Sequence, residues 1–155
     1  MRILTAKVST MAFQVMLAQA LTTEHEETAG LLIGNVSMSL VKLQTAPPVS
    51  NVFSVLPLIR TFKRKDRVEI SSEQLANASD ICESLSKNTG ENLRVIGWYH
   101  SHPHISFLPS HVDVMTQYNY QAMDADFIGL IVSVFERARQ PMVSLLIHFY
   151  VLYFS

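Results

Sequence analysis

The 155-residue sequence predicts a single α/β domain in which helices pack on a mixed β-sheet. Segments with apolar residues at helical spacing alternate along the chain with β-branched apolar runs. Hydrophobic residues make up 48% of the chain, which is enough to build a core. Lys and Arg number 12 against 13 Asp and Glu, so no overall basic field is present to attract nucleic acid.

The cysteine content and the amino terminus bound the function further. Cys82 is the single cysteine, which excludes an intramolecular disulfide framework and the Cys-x-x-Cys zinc arrangement of nucleobase deaminases. We therefore expect a reducing compartment. The amino terminus has one basic residue and only two adjacent apolar residues before Lys7, so it lacks the apolar region of a signal peptide. No secretion is expected.

The first part of the chain predicts a helix followed by strands. Apolar residues recur at helical spacing over about 9–21, after a serine or threonine that can cap the helix. The segment 31–33, between two glycines, predicts a short buried strand, and 36–43 is its candidate hairpin partner. The segment 49–59 predicts another strand, in which Pro57 favours an edge position.

A basic run and a second helix follow. Residues 60–67, RTFKRKDR, are interpreted either as a solvated loop or as a nuclear-localisation or nucleic-acid patch. Ser71 or Ser72 then caps a helix, with Gln74 completing a capping box, and Asn-Thr-Gly at 88–90 ends it. The apolar stripe of this helix consists of Leu75, Ala78, Cys82 and Leu85. Because Cys82 lies on this stripe, it is predicted to be a core residue and not a nucleophile.

The central stretch, residues 95–113, combines side chains that can bind a metal ion. An apolar strand-like run leads to His100 and His102, whose i, i+2 spacing in a strand places both on one face about 6.6 Å apart. Pro103 is expected to stop the hydrogen-bond ladder directly after His102. A helix opening at Ser110 then carries Asp113. Two imidazoles, one carboxylate and an open position are what a catalytic zinc site requires.

Each part of this stretch also has a structural interpretation. Ser110 and Asp113 match a helix capping box, in which the carboxylate only stabilises the helix end. A short His-x-His pair is often simply solvated. The helix is predicted to run to about Met123, with Val112, Met115, Tyr118, Asn119 and Ala122 along one side. Beyond it, the β-branched run 127–135 predicts a buried strand.

The segment 100–113, HSHPHISFLPSHVD, resembles the His-x-His-Pro and Ser-x-x-Asp signature of the JAMM (MPN-plus) metalloproteases. That family also has a glutamate upstream of a glycine-bearing hydrophobic strand, and HEETAGLLIGN supplies it as Glu27, three residues before Gly30. The resemblance runs from about Met11 to Phe135. It implies the MPN fold, a mixed sheet with flanking helices in cytidine-deaminase-like layers, for residues 1–140.

The resemblance also implies the roles of individual residues. His100, His102 and Asp113 would bind one Zn²⁺ per chain. Glu27 would act as general base and then as general acid, and Ser110 would hydrogen-bond the oxyanion. His104 and His111 flank the site, where they either support the ligands, contact the substrate or have the partly exposed polar role that we expect. His25, beside the Glu27 segment, is expected at the surface.

Within the family, segment 65–75 and the central stretch resemble peptidases that cleave lysine-63-linked polyubiquitin (numbered in ubiquitin). The resemblance therefore implies a zinc-dependent deubiquitinase that acts on isopeptide bonds, with a catalytically dead MPN subunit as partner in a larger complex. It implies a cytoplasmic and nuclear protein without direct nucleic-acid or membrane binding, and the basic run 60–67 would lie beside the substrate groove. The alternative is a non-catalytic MPN scaffold, or an inactive truncated isoform, that only binds partner subunits.

The segment 141–155 departs from the family. It is apolar and uncharged, too short to span a bilayer comfortably, and of high β-propensity. We expect either a buried terminal strand or an aggregation-prone segment. Because family members of this kind continue into a helical, coiled-coil-forming region, a truncated or alternatively spliced product is a hypothesis for this sequence.

Overall fold

The computed structural model describes residues 5–37, 48–59, 70–136 and 144–150, the last of these as backbone. In chain order, the helices and strands of these ranges are β1 (Thr5–Val8), α1 (Thr10–Ala20), β2 (Ala29–Ser37), β3 (Val49–Pro57), α2 (Ser72–Thr89), β4 (Arg94–Pro103), α3 (His111–Met123), β5 (Ile128–Glu136) and β6 (Ser144–Tyr150). The strands form one sheet in the order β1-β3-β2-β4-β5-β6. The β1–β3 and β4–β5 pairs are parallel and the others antiparallel, which confirms the predicted α/β class with a mixed sheet.

The first predicted helix is confirmed as α1. Its N-cap is Ser9, whose Oγ accepts from the Ala12 N–H at 3.1 Å and donates to the Phe53 carbonyl at 2.7 Å. The cap therefore satisfies an otherwise unpaired helix donor and also ties the helix start to β3. The buried side of α1 is apolar and consists of Ala12, Met16 and Ala20.

Strands β2 and β3 differ in part from the sequence interpretation. Val36 and Ser37 continue β2 instead of starting a hairpin partner, and the antiparallel partner is β3. The rest of the proposed hairpin strand, 38–43, lies outside the described residues, as does the basic run 60–67. Strand β1 borders β3 only as far as Val52, so the second half of β3 has β2 as its described neighbour. Among the described strands, β3 is therefore an inner strand, and Pro57 lies at its end beyond β1, with β2 as its described partner.

Helix α2 confirms the second predicted helix and both of its ends. Ser71 and Gln74 form the reciprocal capping box, and Gly90 ends the helix with a φ of 74°. This left-handed conformation favours glycine because it has no Cβ. Cys82 is buried on the inward side of α2, and burial raises the pKa of its thiol. A buried, protonated thiol fits the predicted core role.

The helices cover both faces of the sheet. Leu32 and Tyr99 belong to the core cluster that includes α1, whereas Leu31 and Trp98 belong to a second cluster that includes Ala78 of α2. Neighbouring strand residues alternate between the faces, so α1 lies on one side of the sheet and α2 and α3 on the other. In the described part of the chain, no helix combines the length and the apolar character needed to cross a membrane.

Helix α3 is confirmed, but the side that it buries is not the apolar one. Met115 and Tyr118 are 47% and 46% exposed, respectively. The buried residues are polar, namely Asp113, Gln117 and Gln121. Helical periodicity shows which residues share a side, whereas the neighbouring elements decide which side is covered.

The carboxyl-terminal strands complete the sheet. The predicted strand 127–135 is observed as β5, and its residues from Ile128 to Val134 are buried. Part of the apolar tail forms β6, which pairs antiparallel with β5. The strand interpretation is thus confirmed for the backbone of 144–150. The remaining tail residues, 141–143 and 151–155, lie outside the described residues.

Candidate metal centre

Strand β4 brings His100 and His102 to one face of the sheet, as the alternation of strand side chains predicts. Both are buried. Their Nε2 atoms are 3.0 Å apart, and the two rings meet edge to face with centroids 4.8 Å apart. The two Nε2 atoms therefore point to one common position.

Pro103 does not end the strand where the sequence predicted. Strand β4 includes Pro103, and the His104 N–H still donates to the Val134 carbonyl of β5 at 3.0 Å. The reason is that the N–H groups of successive strand residues point to opposite neighbouring strands. The Ser101 N–H donates to Thr28 on the β2 side, so Pro103 also faces that side, where β2 begins only at Ala29. The missing N–H of proline therefore breaks no bond to β5.

Asp113 reaches the histidines from the first turn of α3. Its Oδ1 is 3.3 Å from His100 Nε2, and its Oδ2 is 3.4 Å from His102 Nε2. The same carboxylate accepts from the Ser110 N–H at 2.7 Å, while the Asp113 N–H donates to Ser110 Oγ at 3.2 Å. The capping box is thus real, and it also fixes the carboxylate at the histidines. The two interpretations of this motif describe one arrangement.

The charges of the centre are strongly coupled. Burial acts to raise the pKa of Asp113, but hydrogen bonds from His100 and His102 outweigh it and lower that pKa. Burial acts to lower the pKa of His102, whereas the Asp113 hydrogen bond, the Ser106 carbonyl and the Glu27 charge raise it. Without a metal, the Asp113 carboxylate and the His102 imidazole therefore stabilise each other's charged forms.

The donor set fits a catalytic zinc ion. The His102 Nδ1–H donates to the Ser106 carbonyl at 2.6 Å, which leaves Nε2 as the nitrogen that can bind a metal. One ligand atom from each of His100, His102 and Asp113 lies within 4.8 Å of the others. Two imidazole nitrogens and one carboxylate oxygen match a three-ligand zinc site with a fourth position for substrate or water.

Glu27 borders this centre from the segment before β2. Its Oε1 is 4.0 Å from His102 Nε2, and its side chain is 22% exposed, so the carboxylate faces both the centre and solvent. Its position depends on Ser101, which sequence reasoning missed. The Thr28 N–H donates to Ser101 Oγ at 2.8 Å, and the Ser101 N–H donates to the Thr28 carbonyl at 2.8 Å. The residue between the two histidines thus clamps the residue next to Glu27.

A second contact ties the start of β2 to α1. The Tyr99 hydroxyl donates to Gln19 Oε1 at 2.6 Å, and Gln19 Nε2 donates to the Ala29 carbonyl at 3.1 Å. Tyr99 lies opposite Gly30, where any Cβ would collide with its ring. Burial raises the pKa of Tyr99, which keeps its hydroxyl a donor. The glycine in the family motif therefore makes room for the tyrosine that anchors this strand.

Two more residues of the site were missed, Trp98 and Gln117. The Trp98 ring stacks on His100, and its Nε1–H donates to Gln117 Oε1 at 2.8 Å. The signal for Trp98 was its i, i+2 spacing from His100. Gln117 has no comparable signal in the sequence, because a glutamine is usually exposed to solvent.

His104, His25 and His111 are not part of the donor set. His104 Nε2 is 3.2 Å from Glu24 Oε2, and the His104 ring stacks on Phe135. His25 is 3.8 Å from the other oxygen of Glu24. His104, His25 and His111 are all exposed, as the sequence predicted for polar residues around the site.

Comparison with known proteins agrees with this geometry. A family model described as JAB1/Mov34/MPN/PAD-1 ubiquitin protease matches residues 2–126. Proteins named Lys-63-specific deubiquitinase BRCC36 are among the relatives. The Camponotus floridanus protein is 47% identical over 134 residues, covering 86% of this chain and 49% of that protein. The Xenopus tropicalis protein is 51% identical over 124 residues, covering 80% and 44%.

The Homo sapiens protein of the same name is 47% identical over 140 residues, covering 80% of this chain and 44% of that protein. The chain thus spans about half the length of these curated relatives. The matched segment includes the Glu27 segment, both histidines and Asp113. On this match and these identities, the chain belongs to the JAB1/Mov34/MPN/PAD-1 ubiquitin protease family.

Proposed function

We propose that this chain carries the catalytic site of a zinc-dependent deubiquitinase that hydrolyses isopeptide bonds in polyubiquitin. The observation that carries the proposal is the convergence of His100, His102 and Asp113 with the Glu27 carboxylate at 4.0 Å from His102. The names of the relatives favour lysine-63-linked chains (numbered in ubiquitin) as substrate. His100 Nε2, His102 Nε2 and Asp113 would hold the zinc ion.

When bound, zinc supplies Lewis acidity and makes a water molecule nucleophilic near neutral pH. Glu27 is the base in this arrangement, because its carboxylate borders the centre and is open to solvent on one side. It takes a proton from the attacking water and passes it to the leaving lysine ε-amine. General acid–base catalysis by one positioned carboxylate is commonly worth about 10²–10⁴-fold in rate.

Ser110 stabilises the carbonyl oxygen of the scissile bond. A hydroxyl has one hydrogen to donate and two lone pairs to accept with. One lone pair of Ser110 Oγ accepts from the Asp113 N–H, which holds the hydroxyl close to the backbone of the ligand Asp113. Its hydrogen can then be donated to the oxygen that becomes negative, an effect typically worth about 10²–10³ in kcat.

Exposed apolar side chains beside the centre support a protein substrate. Ile105 and Leu108 lie in the loop between His102 and Asp113, and both are exposed. Exposed apolar groups next to a reactive centre are typical of surfaces that bind another protein.

The experiment that tests the proposal compares Glu27→Gln with Glu26→Gln in the same segment. Zinc per chain is measured by elemental analysis, and cleavage is measured on lysine-63-linked di-ubiquitin. We expect about one zinc in all three proteins, at least a roughly 100-fold loss of turnover for Glu27→Gln, and a change within about threefold for Glu26→Gln.

Normal turnover by Glu27→Gln contradicts the assignment of the base. A folded parent chain without zinc contradicts the proposed enzyme and supports the alternative, a non-catalytic scaffold that binds partner subunits. His102→Ala serves as the control that removes a ligand and should bind little zinc.

The proposed partner is a catalytically inactive MPN subunit, and the proposed location is the cytoplasm and nucleus. Both proposals rest on the resemblance to the family. Addition of such a subunit to the di-ubiquitin assay should raise turnover, and imaging of a tagged chain tests the location.

A further inference from the structure

The two histidines of the centre are held in different ways. The His102 ring is fixed by the hydrogen bond from its Nδ1–H to the Ser106 carbonyl at 2.6 Å. His100 Nδ1 is buried and has no hydrogen-bond partner among the residues that the structure describes. Metal-binding histidines are usually oriented by a hydrogen bond on the second ring nitrogen. Among the described residues the His100 ring lacks such a bond, so a contact on the face of the ring can contribute to its orientation.

Trp98 supplies that contact. Its ring lies parallel to the His100 ring, with centroids 4.6 Å apart and an interplanar angle of 18°. Both residues are buried, and their i, i+2 spacing in β4 places them on the same face. A flat ring stacked on the face of an imidazole limits rotation of that imidazole about its second side-chain torsion, which is otherwise broad.

Gln117 in turn fixes Trp98. The Trp98 Nε1–H donates to Gln117 Oε1 at 2.8 Å. The Gln117 amide donates to the Phe127 carbonyl at 2.7 Å and to Gln121 Oε1 at 3.0 Å. Both the oxygen and the nitrogen of the Gln117 amide are therefore hydrogen-bonded, and Gln121 of α3 and the Phe127 carbonyl set the orientation of the amide.

Gln117 also lies on the same side of α3 as Asp113, four residues further along the helix. The helix that carries one ligand thus also carries the residue that fixes the ring behind another ligand. A shift of α3 relative to β4 would therefore disturb the Asp113 contact with His100 and the Gln117 contact with Trp98 at the same time.

We propose that Trp98, held by Gln117, is the positioning residue that sets the ring plane of the metal ligand His100. The inference rests on the proposed function, since it takes His100 as a zinc ligand. It predicts that zinc affinity depends on a flat ring at position 98 and not only on apolar volume there.

The experiment measures the zinc dissociation constant by competition with a chromophoric chelator in three variants of the full chain. Trp98→Leu removes the flat ring, and Trp98→Phe retains one. Phe127→Leu is the matched control, because the Phe127 ring belongs to the same apolar cluster and contacts Tyr120, while the substitution keeps the backbone carbonyl that accepts from Gln117. We expect a loss of about 10-fold or more for Trp98→Leu, as for other residues that orient ligands, and about threefold or less for Phe127→Leu. Trp98→Phe keeps a flat ring but loses the hydrogen bond to Gln117, so its loss should lie between these two.

A parental dissociation constant in Trp98→Leu overturns the inference and leaves the proposed function standing. Equal losses in Trp98→Leu and Phe127→Leu also overturn it, because general packing then explains the effect. A folded parent chain that binds no zinc overturns the inference together with the proposed function.

The unmodified chain provides a second measurement in case Trp98→Leu does not fold. Trp98 is the only tryptophan, so its fluorescence reports the stacked pair. Zinc titration should change the emission and reach saturation at one zinc per chain, and His100→Ala should abolish the change. Emission that stays constant while zinc binds overturns the proposed contact.

Discussion

Helices α1 and α3 pack on opposite faces of one sheet and bury opposite kinds of side chain. The covered side of α1 is apolar, and the helix contains no charged residue at all. Helix α3 covers Asp113, Gln117 and Gln121, and leaves Met115 and Tyr118 about half exposed. The buried polar groups of α3 have partners, since Asp113 meets the histidines and Gln117 meets Trp98 and the Phe127 carbonyl.

The difference shows two ways in which a helix can be held against a sheet. Burial of apolar area stabilises α1 without specifying much about the position of any one atom. Buried polar groups contribute little net stability, but each one left without its partner costs about 1–3 kcal/mol, so their geometry is closely specified. Apart from the contacts of Gln19 with Tyr99 and Ala29, helix α1 therefore serves mainly stability, whereas α3 places atoms for the metal centre.

The largest expected effect of disturbing α3 is on metal binding. Asp113→Asn should weaken zinc binding by at least about 100-fold, more than the 10–100-fold typical of outer partners, because it removes an anionic ligand. The fold should persist, since an asparagine oxygen can still accept from the Ser110 N–H. Chelator competition measures the affinity, with Asp80→Asn on the exposed side of α2 as a control for the lost charge. Unchanged affinity in Asp113→Asn would contradict the assigned roles of the two helices.

The next effect compares one substitution on the two helices. Met16→Ala in α1 removes a fully buried side chain and should lower the free energy of unfolding by about 2–5 kcal/mol. Met115→Ala in α3 removes a half-exposed one and should change it by about 0.5 kcal/mol or less. Denaturant unfolding measures both, and zinc affinity should stay parental in each folded variant. Similar losses of stability in the two variants would contradict the difference between the helices.

The smallest expected effect is a pH dependence of the zinc-free chain. The raised pKa of His102 contributes stability that is complete below its unfolded value of about 6.5 and is lost as pH rises through the folded pKa. The lowered pKa of Asp113 contributes above about 3.9 and is lost only as pH falls through its folded value. The melting temperature should therefore decline as pH rises above about 6.5.

The control for this measurement is again Asp113→Asn, which removes the main partner that raises the His102 pKa and should flatten the decline. Asp80→Asn should retain it. A melting temperature that rises with pH over this range in the zinc-free parent would contradict the stabilising interaction between protonated His102 and ionised Asp113.

The sequence alone determined those features that depend on neighbouring residues. The caps were predicted to within one residue, as Ser9 or Thr10, as Ser71 or Ser72, and as Ser110, because a capping side chain bonds to an amide three residues away. His100 and His102 were readable as one pair because strand side chains alternate with a period of two. Glu27 was found through the family motif, since spacing along the chain says nothing about a residue 73 positions from His100.

Only the tertiary structure decided which of these parts meet and which side of each element is covered. The register of β2 against β4, with Ala29 opposite His100, places Glu27 beside the centre, and the Ser101–Thr28 clamp holds it there. Pro103 breaks no hydrogen bond to β5, because its nitrogen faces the β2 side of the strand. The polar partners of Gln117 hold the polar side of α3 against the sheet, which leaves the apolar side exposed. Register and partner choice are set by packing between segments far apart in the chain, and no local pattern encodes them.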